Sequence, residues 1–203
     1  MRWPPCWIKL QAQCGREGRA GDVFGLAEQF QTSVQTVTGI AENEARKPGR
    51  KLLIWLGPGW PLLEDRHFKQ TNESREGYFH TVVALSRKLR EARIAVYGLY
   101  TTVGVTSKGP WQAYVKPLRE AHQAETGHLA LQVLATQTGG RVIDPSTDVP
   151  GEIANCLGDV GEYYTLTFEA SPAGSADEYH DLKVQVSQTG LSVRTNTGYY
   201  DQP

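Results

Sequence analysis

The chain has 203 residues, 39% of them hydrophobic, with 21 Lys and Arg set against 22 Asp and Glu. That length and apolar share suit one soluble domain with a substantial core and argue against a membrane span. The balanced charge, with no long block of either sign, leaves no electrostatic footprint for nucleic acid or anionic lipid.

Residues 1–21 mix Trp, Pro, Gly and Arg without periodicity, and the run from Gly15 to Gly21 predicts a flexible N-terminal segment. Pro4 and Pro5 interrupt the opening stretch, which offers no apolar run of signal-peptide length and no small-residue cleavage site.

From Asp22, a suitable N-cap, apolar residues recur at Val23, Leu26, Phe30, Val34, Val37 and Ile40. This three-to-four spacing predicts an amphipathic helix that stops before Pro48-Gly49. Leu52 to Leu56 is then a continuous apolar run between Gly49 and Gly57, the pattern of a strand covered on both faces and the strongest strand signal in the chain. Pro58 to Gly77 reads as a polar, turn-rich connection. It leads to a second helix with Phe79, Val82, Leu85, Leu89 and Ala92 on one face and Arg87, Lys88 and Arg90 on the other.

Ile94 to Tyr100 predicts a second buried strand, followed by an irregular loop through Lys108 to Trp111. A third helix carrying Leu129, Val133 and Leu134 should end at Gly139-Gly140, where glycine adopts the left-handed C-cap without steric cost, and Val142-Ile143 forms a short strand behind it. A fourth helix over about Pro150 to Val160 completes a helix-strand repetition that implies parallel strands and an open α/β sheet. The pattern then changes. Tyr164, Leu166 and Phe168, then Leu182, Val184 and Val186, alternate with polar residues. With Leu191 to Arg194 they predict three antiparallel strands, joined by a polar loop and a tight turn at Gln188 to Gly190.

Lys47-Pro48-Gly49-Arg50-Lys51 followed by Leu52 to Gly59 resembles the entry to the fourth strand of von Willebrand factor A domains, in a version described largely from Acidobacteria. The likeness extends through Ala95 to Tyr97, Leu134 to Arg141 and Tyr163-Tyr164. In the tail it takes in Tyr179-His180, Leu182 to Val184, Val193-Arg194 and Gly198 to Tyr200. The resemblance spans about residues 22–200 and implies a Rossmann-like open sheet of order 3-2-1-4-5-6, of which this chain would hold the 4-5-6 half. The organisation expected is a flexible segment at 1–21, a partial von Willebrand factor A-like domain at 22–161 and an antiparallel β tail packed with it at 162–203. Strand 52–56 would then lack its natural neighbour, leaving a ladder edge for the N-terminal segment or a partner chain to cover. Members of the resembled family are often exported, so a fragment of a longer exported protein is one of the expectations.

Such domains bind a divalent cation through an Asp-x-Ser-x-Ser loop, a Thr, and an Asp after the fourth strand. This chain has no Asp-x-Ser-x-Ser, and Gly57-Pro58-Gly59-Trp60-Pro61 holds no carboxylate before Glu64 and Asp65. No cofactor is therefore expected, and Gly57-Pro58-Gly59 is a structural turn rather than a phosphate loop. His122, Glu125 and His128 have a spacing that sets imidazole and carboxylate on one helix face, so a metal-dependent hydrolase is the alternative to a binding module. Ser86 and Ser146 sit in no nucleophile elbow, and the Tyr179-His180 pair points to packing within the tail. Three cysteines without CxxC spacing argue against a disulfide scaffold or thiolate zinc; Cys6 and Cys14 are close enough in sequence to bridge, and Cys156 reads as a small core residue. Trp55, Trp60, Trp111, Tyr97 and Tyr100 gather near the strand ends, with Trp55 in the core and Trp60, Trp111 and Tyr100 as candidate contacts for a protein partner. The sum is a non-catalytic interaction or structural module.

Overall fold

Eight elements carry the fold in a computed structural model that describes residues 23–56, 71–101, 134–135, 137–146, 148–159, 163–170, 174–191 and 193–201. They are α1 (Val23–Ala45), β1 (Lys51–Leu56), α2 (Asn72–Glu91), β2 (Ile94–Thr101), β3 (Arg141–Ser146), α3 (Val149–Gly158), β4 (Glu178–Asp181) and β5 (Gly198–Asp201). The first three strands form a parallel sheet in the order β1-β2-β3, and the last two form an antiparallel pair. Among the described residues no helix is long and apolar enough to cross a membrane.

Strand alternation divides the core into two layers. Ile94 and Val96 of β2, with Leu53 and Trp55 of β1 and Val142 of β3, pack against α1 and α2. Ala95, Tyr97 and Leu99 turn to the other face, with Leu52, Ile54 and Ile143, and meet Ile153 and Cys156 of α3. Helices thus cover both faces of a parallel sheet, as the α/β reading requires. The apolar stripes foreseen on the helices are the buried ones. Phe30, Val34 and Val37 of α1, and Phe79, Val82, Leu85, Leu89 and Ala92 of α2, are all core residues.

The structure differs from expectation in four places. Helix α2 begins at Asn72 rather than after Gly77, because the Thr71 hydroxyl accepts the Ser74 amide proton at 3.1 Å and Glu73 lies in the positive first turn. β1, expected to be buried on both faces, is half-buried, while β2 is buried along its described length. Among the described residues β1 has a ladder partner on one side only. Arg90, placed by the pattern on the solvent face of α2, is partly covered and lines a groove with Phe168 and Tyr199.

The largest difference lies in the tail. Among the described residues, 164–168, 182–186, 191 and 193–194 form no strand, and the antiparallel ladder forms instead between β4 and β5. The reason is where apolar surface can be buried: Tyr179 and Tyr200 face each other across that ladder and pack on the α2 layer. Outside that ladder Tyr164, Leu166, Phe168, Val186, Leu191 and Val193 are exposed.

Two local devices hold the sheet to the helices. The Lys51 ammonium donates to the carbonyls of Glu44 at 2.7 Å, Lys47 at 2.6 Å and Ala92 at 3.0 Å, tying the C-terminal ends of α1 and α2 to the first residue of β1. It satisfies carbonyls that helix ends leave unpaired, and burial, helped by the Arg93 charge, pushes its pKa down. Gly139, at φ +76°, turns the chain into β3, as foreseen for a glycine C-cap. The next residue, Gly140, lies so close to the Val96 carbonyl that a Cβ could not be accommodated.

Candidate functional site

Polar chemistry among the described residues concentrates at the start of β3, on the α3 face of the sheet. Tyr97 of β2 is fully buried, and its Cα pairs in register with Arg141, the first residue of β3. The Tyr97 hydroxyl donates to Asp159 Oδ2 at 3.2 Å, just beyond the end of α3. Arg141 Nη2 lies 3.4 Å and Arg194 Nη2 2.9 Å from the same oxygen. Arg50, immediately before β1, donates to the Gly139 carbonyl at 3.3 Å and holds its guanidinium 6.0 Å from the centroid of the Tyr163 ring.

Charge sets the state of this cluster. Burial raises the Asp159 pKa, but the Arg194 hydrogen bond and charge, the Arg141 charge and the Tyr97 hydrogen bond outweigh it and hold the carboxyl below its ordinary value. Burial pushes the Tyr97 phenol up, and the Arg194 pKa is raised, chiefly by its hydrogen bond to Asp159. Cys156 is fully buried and burial raises its thiol pKa, so it is the inert core residue expected rather than a nucleophile.

The second constellation joins the tail to α2. The Tyr200 ring meets Phe79 edge-on at 5.6 Å and Tyr179 at 5.1 Å, and its hydroxyl accepts from Gln137 Nε2 at 3.2 Å. His80 Nδ1 and Asp177 Oδ2 are 2.5 Å apart, tying the α2 face to the turn before β4. His180 stacks on Tyr199 with centroids 5.2 Å apart and planes 17° from parallel, and among the described residues its buried Nε2 makes no hydrogen bond.

The hairpin register runs one residue past the ladder. Tyr179 pairs with Tyr200 and His180 with Tyr199, and the Leu182 N–H donates to the Thr197 carbonyl at 2.8 Å in the same register. Further on, Leu182 and Val184 are half-buried, Val186, Leu191 and Val193 are exposed, and Gly190 has a φ of +85°. Between the C-terminal part of α2 and residues Phe168, Asn196 and Tyr199 lies an open groove of about 330 Å³.

Few of the residues singled out from sequence fall here. Trp60, Trp111, His122, Glu125, His128, Cys6 and Cys14 lie outside the described residues, as does the Gly57-Pro58-Gly59 turn with Glu64 and Asp65. Tyr100 belongs to β2, but its side chain is not among those described; the same holds for Ser146, the last residue of β3. Ser86 is buried in α2 and donates to the Val83 carbonyl at 2.8 Å, a structural bond. Trp55 packs against the α1 and α2 layer, as expected of a core residue. Among the described residues no group of three metal-ligating side chains occurs. Sequence reasoning missed the Asp159 cluster because its members are scattered along the chain; the aromatic pairs in Glu178–Asp181 and Gly198–Asp201 were the available signal for the tail ladder. No family model, curated protein or solved structure matches this chain.

Proposed function

We propose that this chain is a non-catalytic interaction or structural module of the von Willebrand factor A-like type, working without a metal-ion-dependent adhesion site or other cofactor and binding a protein partner. The observation that carries the reading is the set of exposed apolar side chains on the tail, where Tyr164 is 95%, Leu166 66% and Leu191 58% exposed. Large exposed apolar side chains are what a protein interaction site offers for burial. The adjacent order β1-β2-β3 with helices on both faces supports the von Willebrand factor A-like assignment, since strands 4, 5 and 6 of that fold are neighbours in the same order. The side of β1 that has no ladder partner among the described residues offers a partner a second place to add, by strand pairing.

A photo-crosslinking amino acid placed at Leu166 or Leu191, with Glu28 on the exposed face of α1 as control, tests the proposal in the source cell. One protein should be captured from both tail positions and not from Glu28. Titrated as purified components, that complex should weaken at least about tenfold with Leu166→Asp or Leu191→Asp, each placing a charge in an apolar contact. Identical products at the control position, or an affinity indifferent to both substitutions, would overturn it.

A further inference from the structure

We infer that Arg141 and Arg194, gathered around Asp159, form a binding site for an oxyanion, the phosphate or carboxylate group of a small molecule. Two guanidiniums answer to one carboxylate there. Both converge on a single oxygen, Asp159 Oδ2, through one nitrogen each, although each carries about five N–H donors.

Donor capacity is therefore left over, and it is accessible: the Arg141 and Arg194 side chains are 43% and 42% exposed. Among the described residues Arg141 Nε, shielded from water, has no hydrogen-bond partner, so an acceptor entering beside it gains a bond that solvent does not supply. Arginine forks match the paired oxygens of phosphate and carboxylate. The scaffold is rigid where it matters, because Arg141 is anchored in β3 beside the buried Tyr97. Asp159 occupies the donors in the unliganded protein and competes with the ligand for them.

The test is titration of the intact chain with inorganic phosphate and, separately, acetate at constant ionic strength, following the arginine Nε–Hε resonances. Phosphate is expected to shift Arg141 and Arg194 saturably, with an affinity reduced tenfold or more in Arg194→Gln. Asp159→Asn, which removes the competing carboxylate, should tighten binding several-fold, whereas a merely structural ion-pair network gives no such gain. If Arg141→Gln does not fold, Arg141→Lys keeps the charge but loses the fork and should bind more weakly. Saturation by acetate as well would extend the site to carboxylates, and saturation by phosphate alone would restrict it to phosphate groups. Shifts that rise without saturation, that chloride reproduces, or that Arg194→Gln leaves unchanged would overturn the inference.

Discussion

Replacing Tyr200 by alanine tests whether the tail is an integral part of the fold or an appendage. The side chain is 5% exposed, fits edge-on against Phe79 and Tyr179, and accepts a hydrogen bond from the buried Gln137 amide. Truncating a buried aromatic residue costs about 3–5 kcal/mol, which already includes ring contacts of about 0.5–1.5 kcal/mol each. Tyr200→Phe keeps the ring and removes only the acceptor, at about 1–3 kcal/mol for the Gln137 donor left without it. Since a domain is typically stable by about 5–15 kcal/mol, the alanine variant should lose a large share of that. Urea unfolding followed by circular dichroism gives the total, and amide hydrogen exchange at Tyr179 to Asp181 locates it. If the tail amides lose protection in Tyr200→Ala while the unfolding midpoint of the sheet and helices stays put, the hairpin is a separate unit and the reasoning fails.

Leu89, fully buried between α2 and the sheet, should cost about 2–5 kcal/mol when cut to alanine, read as a lowered urea midpoint with an unchanged slope. Gly140→Ala should leave little soluble folded protein, because the new Cβ collides with the Val96 carbonyl in the central strand; wild-type yield and melting temperature would contradict the packing described. Stability should also fall at acid pH through Asp159. Its folded pKa is depressed, so the contribution is fully present above the unfolded value near 3.8 and is lost as pH falls through the folded value. Asp159→Asn should therefore be less stable than wild type at neutral pH, with the difference shrinking below about pH 4; a constant difference across that range would refute the assignment.

Both long helices were legible because a repeat of three to four is a local property, and burial of Phe30, Val34 and Val37 or of Phe79, Val82 and Leu85 follows from it directly. The parallel strands were legible for the same reason, as apolar runs between turn signals. Local signals misled where burial depended on a neighbour. Leu52 to Leu56 reads as a strand buried on both faces, yet β1 is half-buried, because among the described residues it has a ladder partner on one side only. Tyr164 to Phe168 alternates like a strand, yet is exposed and outside the ladder, because alternation supplies an apolar face without supplying anything to bury it against.

The sequence by itself determined the α/β class, the helix faces and the glycine that turns the chain into β3, since each rests on residues within a few positions of one another. Tertiary structure decided how deeply β1 is buried, that the tail ladder forms at Glu178–Asp181 and Gly198–Asp201, and that Tyr97, Arg141 and Arg194 converge on Asp159. Those outcomes depend on groups up to 62 residues apart along the chain in the Tyr97 to Asp159 bond alone, and no periodicity in the sequence encodes a contact over that separation.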